Sequence, residues 1–295
     1  MSLKKLISIA LATDSNYYAP TLVAVKSIVI NTSDYNNYAI YILSEQPLSR
    51  FEKWLILSAI CKKKNISCIF IHVGQQIGTL KLSNNGSTKG ITQATYFRFL
   101  LPNLLKHTDK ILYMDADAIA LDDIAKIFSF TMENTYVGGV RDIVGYLDKE
   151  NRCEELNIDS LDQYVNAGVL LMNLDEMRKN QLSEKMLAMA KKRSFSYNDQ
   201  DIINSVCYGK IKCLPCKCNV IVDYLKEPVQ ISSVLQLDYK KATKKPYIMH
   251  YAGRSKPWYS KKDRYSHLWW QVVDSFSWCV AIFIKYRIRK LKGLH

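Results

Sequence analysis

The chain lacks the phosphate-cradling turns of the commonest nucleotide enzymes. Neither a Gly-x-Gly-x-x-Gly turn nor a Walker pattern occurs after its first apolar strand, which sets aside dinucleotide oxidoreductases and P-loop enzymes. Acid is also scarce: 27 Asp and Glu stand against 41 Lys and Arg, a formal +14 that points to an anionic partner. Near the C-terminus the longest apolar run, Trp278 to Ile284, falls far short of the roughly 20 residues a spanning helix needs. Cysteines are present, eight in all, but without metal spacing. The group Cys207, Cys213, Cys216 and Cys218 contains one Cys-x-x-Cys, and no second pair or His-x-x-x-His completes a zinc site. Such cysteines suit a reducing compartment, where they act as small apolar residues. A hydrophobic content of 48% excludes wholesale disorder, and 295 residues suffice for a large core.

What is present is an alternation of strand and helix patterns. Leu6 to Ala12 reads as a buried strand, and the segment from Pro20 to Asn31 as a helix with proline near its start. Lys4 and Lys5 before that strand imitate a secretory signal, but the apolar stretch is too short and Thr13-Asp14 leads on as a strand-to-helix turn would. Tyr38 to Leu43 follows as a strand. Ser49 and Glu52 form a capping box for a helix through about Lys64, and Ile66 to Val73 returns as a strand. The order implies an α/β fold with a parallel, doubly wound first part. Gly74 to Gly90 is polar and reads as a loop of lid or binding type. Thr92 to Leu101 reads as a helix ended by Pro102, and Lys110 to Met114 as a strand. Beyond Leu121 the pattern is mixed, with apolar segments at Tyr136 to Val140, Val165 to Asn173, Ile211 to Leu214 and Tyr247 to His250. Helices are expected over Ser183 to Arg193 and Asp199 to Tyr208. No linker divides the body, so residues 1–263 form one expected domain and 264–295 a C-terminal amphipathic basic segment.

The most informative stretch is Ile111-Leu112-Tyr113-Met114-Asp115-Ala116-Asp117, an apolar run that stops on two aspartates. In extended chain, residues two apart share a face, so both carboxylates can converge on one cation. Mg²⁺ or Mn²⁺ is held against a nucleotide diphosphate by such hard oxygen ligands, and the end of an apolar strand is where open α/β sheets bind ligands. The competing reading is an Asp-rich turn after a buried strand. His250 closes another strand and can complete an Mn²⁺ shell; Gly253 lets backbone approach a phosphate, and Lys256 supplies its countercharge. Asp14 and Asn16, just after the first strand, suit either a nucleoside contact or an Asx cap. Asn166-Ala167-Gly168 and Asp199-Gln200-Asp201 taken alone are caps or turns.

Together these groups resemble the family 8 retaining glycosyltransferases, which include bacterial lipopolysaccharide galactosyl- and glucosyltransferases. The motifs are Asp14-x-Asn16-Tyr17, Thr95-Tyr96-x-Arg98, Tyr113-Met114-Asp115-Ala116-Asp117, Asn166-Ala167-Gly168-Val169, Asp199-Gln200-Asp201 and His250-Tyr251-x-Gly253-x-x-Lys256-Pro257-Trp258. The resemblance spans roughly Leu6 to Trp258. It implies the A-type nucleotide-sugar glycosyltransferase fold, a Rossmann-like mixed sheet flanked by helices. It also implies a UDP-galactose or UDP-glucose donor and a glycan or glycolipid acceptor. Asp115, Asp117 and His250 would ligate Mn²⁺, with Mg²⁺ as the alternative. Ala12, Asp14 and Asn16 would meet the uridine part; Arg98, Asn166 and Asp199 the donor sugar; Gly253 and Lys256 the diphosphate; Ala116 and Ala167 would also contact the donor. Gln200 would face the anomeric carbon, and Gln200, Asp199 and Asp117 would carry the chemistry. The family pattern has a second acid beside Asp14 where this chain has Ser15, and the segments Gly74 to Gly90 and Asp142 to Asp162 show no match.

Two rival functions remain. Asp115-x-Asp117 also resembles the opening of aspartate-nucleophile phosphohydrolases, although that signature belongs on a first strand. A non-enzymatic protein binding an anionic surface is the other, motivated by Lys285, Arg287, Arg289, Lys290 and Lys292. Nucleic acid is not expected, because no interleaved aromatic and basic pattern occurs elsewhere. Before that basic end, Leu268, Trp269, Val272, Val273, Phe276, Val280, Phe283 and Ile284 recur at helical spacing. They form either an interfacial membrane helix or a helix docked on the core with a solvated basic tail. The expected location is cytoplasmic, peripheral on the inner face of the membrane if the first holds.

Overall fold

A computed structural model describes residues 4–78, 80, 92–143, 151–225, 233–253, 256–260 and 264–292. Most of the expected loop from Gly74 to Gly90 therefore lies outside the described residues, as does 144–150 of the stretch from Asp142 to Asp162. The central sheet has seven strands in the order β3-β2-β1-β4-β7-β6-β8. Its first part is the parallel arrangement the alternation implied. β1 (Leu6–Thr13) pairs with β2 (Asn37–Ser44), and β2 with β3 (Ile66–His72). β4 (Lys110–Met114) lies parallel on the other side of β1. Every residue of β1 after Leu6 is buried, as a strand covered on both faces must be.

The sheet then turns mixed. β7 (Val165–Asn173) runs antiparallel to β4, β6 (Val137–Arg141) antiparallel to β7, and β8 (Ile211–Cys213) parallel to β6. A second sheet of three short strands, β5 (Ala118–Ala120), β9 (Val220–Ile221) and β10 (Ile248–His250), is centred on β10.

Local chemistry sets the first helices. Tyr18–Asn31 carries Pro20 within its first turn, where a missing N–H costs nothing. Arg50–Ile60 has the expected capping box: the Ser49 amide donates to Glu52 Oε2 at 2.9 Å, and the Glu52 amide to Ser49 Oγ at 3.2 Å. One expectation is corrected. The segment after Thr92 is a 3-10 helix over Gln93–Leu100 that passes into an α-helical turn, Leu101–Leu104, so Pro102 does not end it. Proline there opens the α-helical turn, at a position whose N–H would have had no partner.

The C-terminal segment forms two helices, Ser266–Asp274 and Trp278–Lys292. Trp269, Val272, Val273, Val280 and Ile284 are buried in the same core as β1 and helix Tyr18–Asn31, so the core is continuous across the expected boundary at 263 and 264. Their apolar face is docked on the body, which matches the second of its two readings. No helix among the described residues is long and apolar enough to cross a membrane.

Candidate metal and donor site

Strand register assembles the site. β4 ends at Met114, opposite Val169 of β7, and the Asp115 amide donates to the Gly168 carbonyl at 2.7 Å, so the Asn166–Gly168 backbone lies beside the first aspartate. The chain then turns into β5, whose Ala118 pairs with His250 of β10, and the Tyr251 amide donates to the Asp117 carbonyl at 3.0 Å. Two crossings of distant strands thus bring His250 to the aspartates. Its Nε2 lies 3.3 Å from Asp117 Oδ1 and 3.9 Å from Asp115 Oδ2. One ligand atom from each of the three residues falls within 4.8 Å of the others.

The donor set fits a divalent cation. His250 Nδ1 is 3.0 Å from Asn219 Oδ1, which can only accept, so that nitrogen donates and Nε2 is the one turned toward the carboxylates. Asn219 Nδ2 donates to Asn166 Oδ1 at 2.9 Å, which orients the amide. Glycine at 168 is a steric necessity: a Cβ there would stand 2.1 Å from His250 Cε1 and 2.8 Å from Asp115 Oδ2. Lys256 Nζ donates to Asp117 Oδ2 and, at 2.7 Å, to the Tyr251 carbonyl. Burial raises the pKa of Asp117, but Lys256 and His250 outweigh it and hold the carboxylate ionised well below the usual range. Gly253 has φ +76°, and a Cβ there would lie 2.4 Å from Asp223 Oδ2.

Arg98 forms the opposite wall. Its guanidinium stacks 4.1 Å from the centre of the Tyr113 ring. It donates to Asp115 Oδ1 at 2.8 Å and to the Ala167 carbonyl, and it pairs with Asp199 Oδ2 at 3.1 Å. Burial, partly offset by Arg98, raises the Asp199 carboxyl to about 6. Thr95 Oγ1 donates to the other Asp199 oxygen.

Gln200 is held at every polar atom. Its Oε1 accepts from Asn166 Nδ2 and the Ala167 amide, both at 3.1 Å, while Nε2 donates to Asp142 Oδ2 at 3.0 Å and to Tyr164 Oη at 3.1 Å. Asp142 also accepts from Asn166 at 3.0 Å and from Tyr224 Oη at 2.6 Å. Asp142 and Asn219 are additions to the residues picked out by sequence. Asp142 had a signal in its place after β6, whereas Asn219 follows a cysteine-rich segment with nothing to mark it.

At the end of β1, Asp14 closes an Asx turn ahead of helix Tyr18–Asn31, whose own N-cap, Tyr17, has no side-chain cap hydrogen bond. Asp14 Oδ1 accepts from the Asn16 amide at 2.8 Å and the Tyr17 amide at 2.7 Å, and Oδ2 accepts from Thr92 Oγ1 at 2.6 Å. Asn16 is exposed, Ala12, Ala116 and Ala167 are buried, and Tyr17 meets Trp258 edge to face at 6.0 Å. Arg287 of the terminal helix donates to the Ser15 carbonyl in this same turn.

A mixed sheet whose β4 delivers two aspartates to a buried histidine is the A-type arrangement of nucleotide-sugar glycosyltransferases. Residues 8–262 match the family described as Glycosyl transferase family 8, and the chain belongs to it. It is 28% identical over 258 residues to the lipopolysaccharide 1,2-glucosyltransferase of Escherichia coli K12, covering 86% of this chain and 73% of that protein. Two solved structures share the fold. The WbbM bifunctional glycosyltransferase superposes with a TM-score of 0.84 at 22% identity, over 97% of this chain and 52% of that one. The galactosyltransferase LgtC, solved with donor and acceptor sugar analogues, gives 0.75 at 22% identity over 92% and 96%. Membership removes the phosphohydrolase reading.

Proposed function

We propose that this enzyme transfers galactose or glucose, with retention of anomeric configuration, from a UDP-sugar to a lipopolysaccharide or other cell-surface glycan. In this reading Mn²⁺, with Mg²⁺ as the alternative, is held by Asp115, Asp117 and His250. The observation that carries it is the convergence of those three side chains beside Arg98, Asp199, Asn166 and Gln200. A bound divalent cation supplies Lewis-acid stabilisation of the departing diphosphate, worth several kcal/mol.

The chain's own groups do the rest. Lys256, already at Asp117, adds positive charge where the diphosphate develops its negative charge, and Gly253 lets the backbone approach it. Arg98 fixes Asp199 and Asp115 as acceptors along the sugar. Ala12, Asp14 and Asn16 line the place for uridine, and Ala116 and Ala167 leave room beside it. Both lone pairs of Gln200 Oε1 are already committed, so it serves as an oriented dipole facing the anomeric carbon rather than as a nucleophile. Retention then proceeds by front-side attack. The acceptor oxygen bonds to the anomeric carbon on the face from which the diphosphate oxygen leaves, and the hydroxyl proton passes to that oxygen. The enzyme works in the cytoplasm.

The test is UDP release from a panel of UDP-sugars with Mn²⁺ and a glycan acceptor. Asp117→Asn is expected to lower turnover about a thousandfold, about 4 kcal/mol of barrier, while circular dichroism shows a folded chain. Near-normal turnover by that variant would reject the assignment.

A further inference from the structure

Cations are gathered in a second place, apart from the donor cleft. A cavity of about 630 Å³, the size of a small-molecule pocket, is lined by Lys126, Arg141, Lys217, Lys241 and Lys245, with Asp238 as the acid among its lining residues. Lys126 is matched by Asp122 at 2.6 Å. Among the described residues no carboxylate lies within ion-pair distance of Lys217, Lys241 or Lys245. Lys217 lies instead 4.5 Å from the centre of the Tyr247 ring, and Lys126 lies 5.4 Å from it, so two ammonium groups share one aromatic partner. Like charges held around one concavity repel one another and focus a positive potential there, which a bound anion relieves.

The cavity borrows the framework of the donor site but none of its side chains. Arg141 Nε donates to Cys213 Sγ at 3.5 Å, whereas the next residue, Asp142, accepts from Gln200 and Asn166, so consecutive side chains leave the end of β6 on opposite sides. Tyr247 stands just before β10, three residues from His250, which is about 10 Å of extended chain. Lys256, the cation at Asp117, is not among the lining residues, and neither is any of the three candidate metal ligands. Leu214, Pro215 and Ala242 give the cavity an apolar wall, so it can seat a small organic body behind a charged group.

We infer that Arg141, Lys217, Lys241 and Lys245, grouped around Tyr247, form a second anion site that takes a small phosphate-bearing ligand, separate from the place of the donor diphosphate. Their ammonium and guanidinium groups supply charge-assisted hydrogen bonds to phosphate oxygens. Lys126 contributes less, because Asp122 already neutralises it. One chemistry covers two sources, a free diphosphate and a phosphate substituent on a sugar. The site does not depend on which hexose or which metal the donor cleft uses, so it stands or falls apart from the proposed function.

Equilibrium dialysis of the full chain against radiolabelled inorganic pyrophosphate and, separately, glucose-6-phosphate tests this. Metal-free buffer is used, because without a cation Asp115 and Asp117 repel an anion from the donor cleft. Saturable binding of at least one probe, weakened by salt, is expected. Tighter binding of pyrophosphate assigns the site to a free diphosphate, and tighter binding of glucose-6-phosphate to a phosphorylated sugar. Lys217→Ala with Lys245→Ala is expected to weaken binding at least about tenfold, since two charge-assisted contacts are lost. Lys241→Glu, a single change at an exposed position of helix Ser233–Ala242, should do the same. Lys62→Ala with Lys64→Ala removes two exposed lysines elsewhere and should leave binding unchanged. Circular dichroism establishes that each variant is folded. No saturable binding of either probe overturns the site, as does unaltered binding in the Lys217 and Lys245 pair, or an equal loss in the Lys62 and Lys64 pair, which would mark a general effect of charge.

Discussion

Two buried arginines flank the segment that carries Asp199, Gln200 and Asp201, and they are used differently. Arg98 holds Asp115 and Asp199, and the Asp115 side chain keeps 27% of its surface open. Arg152 holds Asp201, whose side chain has no exposed surface, with Tyr164 Oη donating to the same carboxylate at 2.6 Å. Alternate acids of one motif thus go to opposite sides, one toward the cleft and one into the interior. A buried ion pair gives little net stability, but losing one partner leaves an uncompensated charge. The inner cluster should therefore report on folding, and the outer one on donor chemistry.

The sharpest way to break that contrast is Asp201→Asn. It strands the Arg152 charge and is expected to cost about 3 kcal/mol in denaturant unfolding, with Mn²⁺ affinity of the folded fraction unchanged. Equal stability would mean the inner pair carries no structural weight. Arg98→Lys keeps the charge but loses the fork that reaches Asp115, Asp199 and the Ala167 carbonyl together, so kcat/KM should fall about thirtyfold, about 2 kcal/mol. A smaller effect, about tenfold in Mn²⁺ affinity by calorimetry, is expected for Asn219→Ala, which frees the His250 ring without touching the arginines. Unaltered affinity would detach Asn219 from the site.

The mildest difference lies in pH. Asp199 in the fold has its carboxyl raised to about 6 from 3.8, so the folded protein binds an extra proton between those values. That contribution to stability is present below about pH 4 and is lost as pH rises toward 6. Burial raises Asp201 in the same direction, while Asp117, held low, contributes stability that is lost only in stronger acid. Asp199→Asn should flatten unfolding stability between pH 4 and 6 in metal-free buffer. An unchanged slope there would remove Asp199 as its source.

How far each part could be read from residues follows the range of its contacts. β1 to β3 and their helices rest on local apolar periodicity, a capping box and a first-turn proline, all visible within a dozen residues. The strand-end aspartates were visible for the same reason. What brings His250 to them is the pairing of Ala118 with His250 and of Met114 with Val169, contacts set by antiparallel returns that no local pattern announces. Asp142, after the antiparallel pairing of β6 with β7, and Asn219, before the parallel pairing of β9 with β10, are likewise placed by long-range contacts. The terminal helix was legible as amphipathic, but its apolar residues at helical spacing could not reveal which stripe the body would cover.

The central claim is a divalent cation held by Asp115, Asp117 and His250 beneath a nucleotide diphosphate. Anomalous diffraction from crystals soaked with Mn²⁺ and UDP tests it most directly. The account predicts one peak within coordination distance of both carboxylates and His250 Nε2, with diphosphate oxygens completing the shell; an empty site beside residues 115 and 117, or a peak elsewhere, would contradict it.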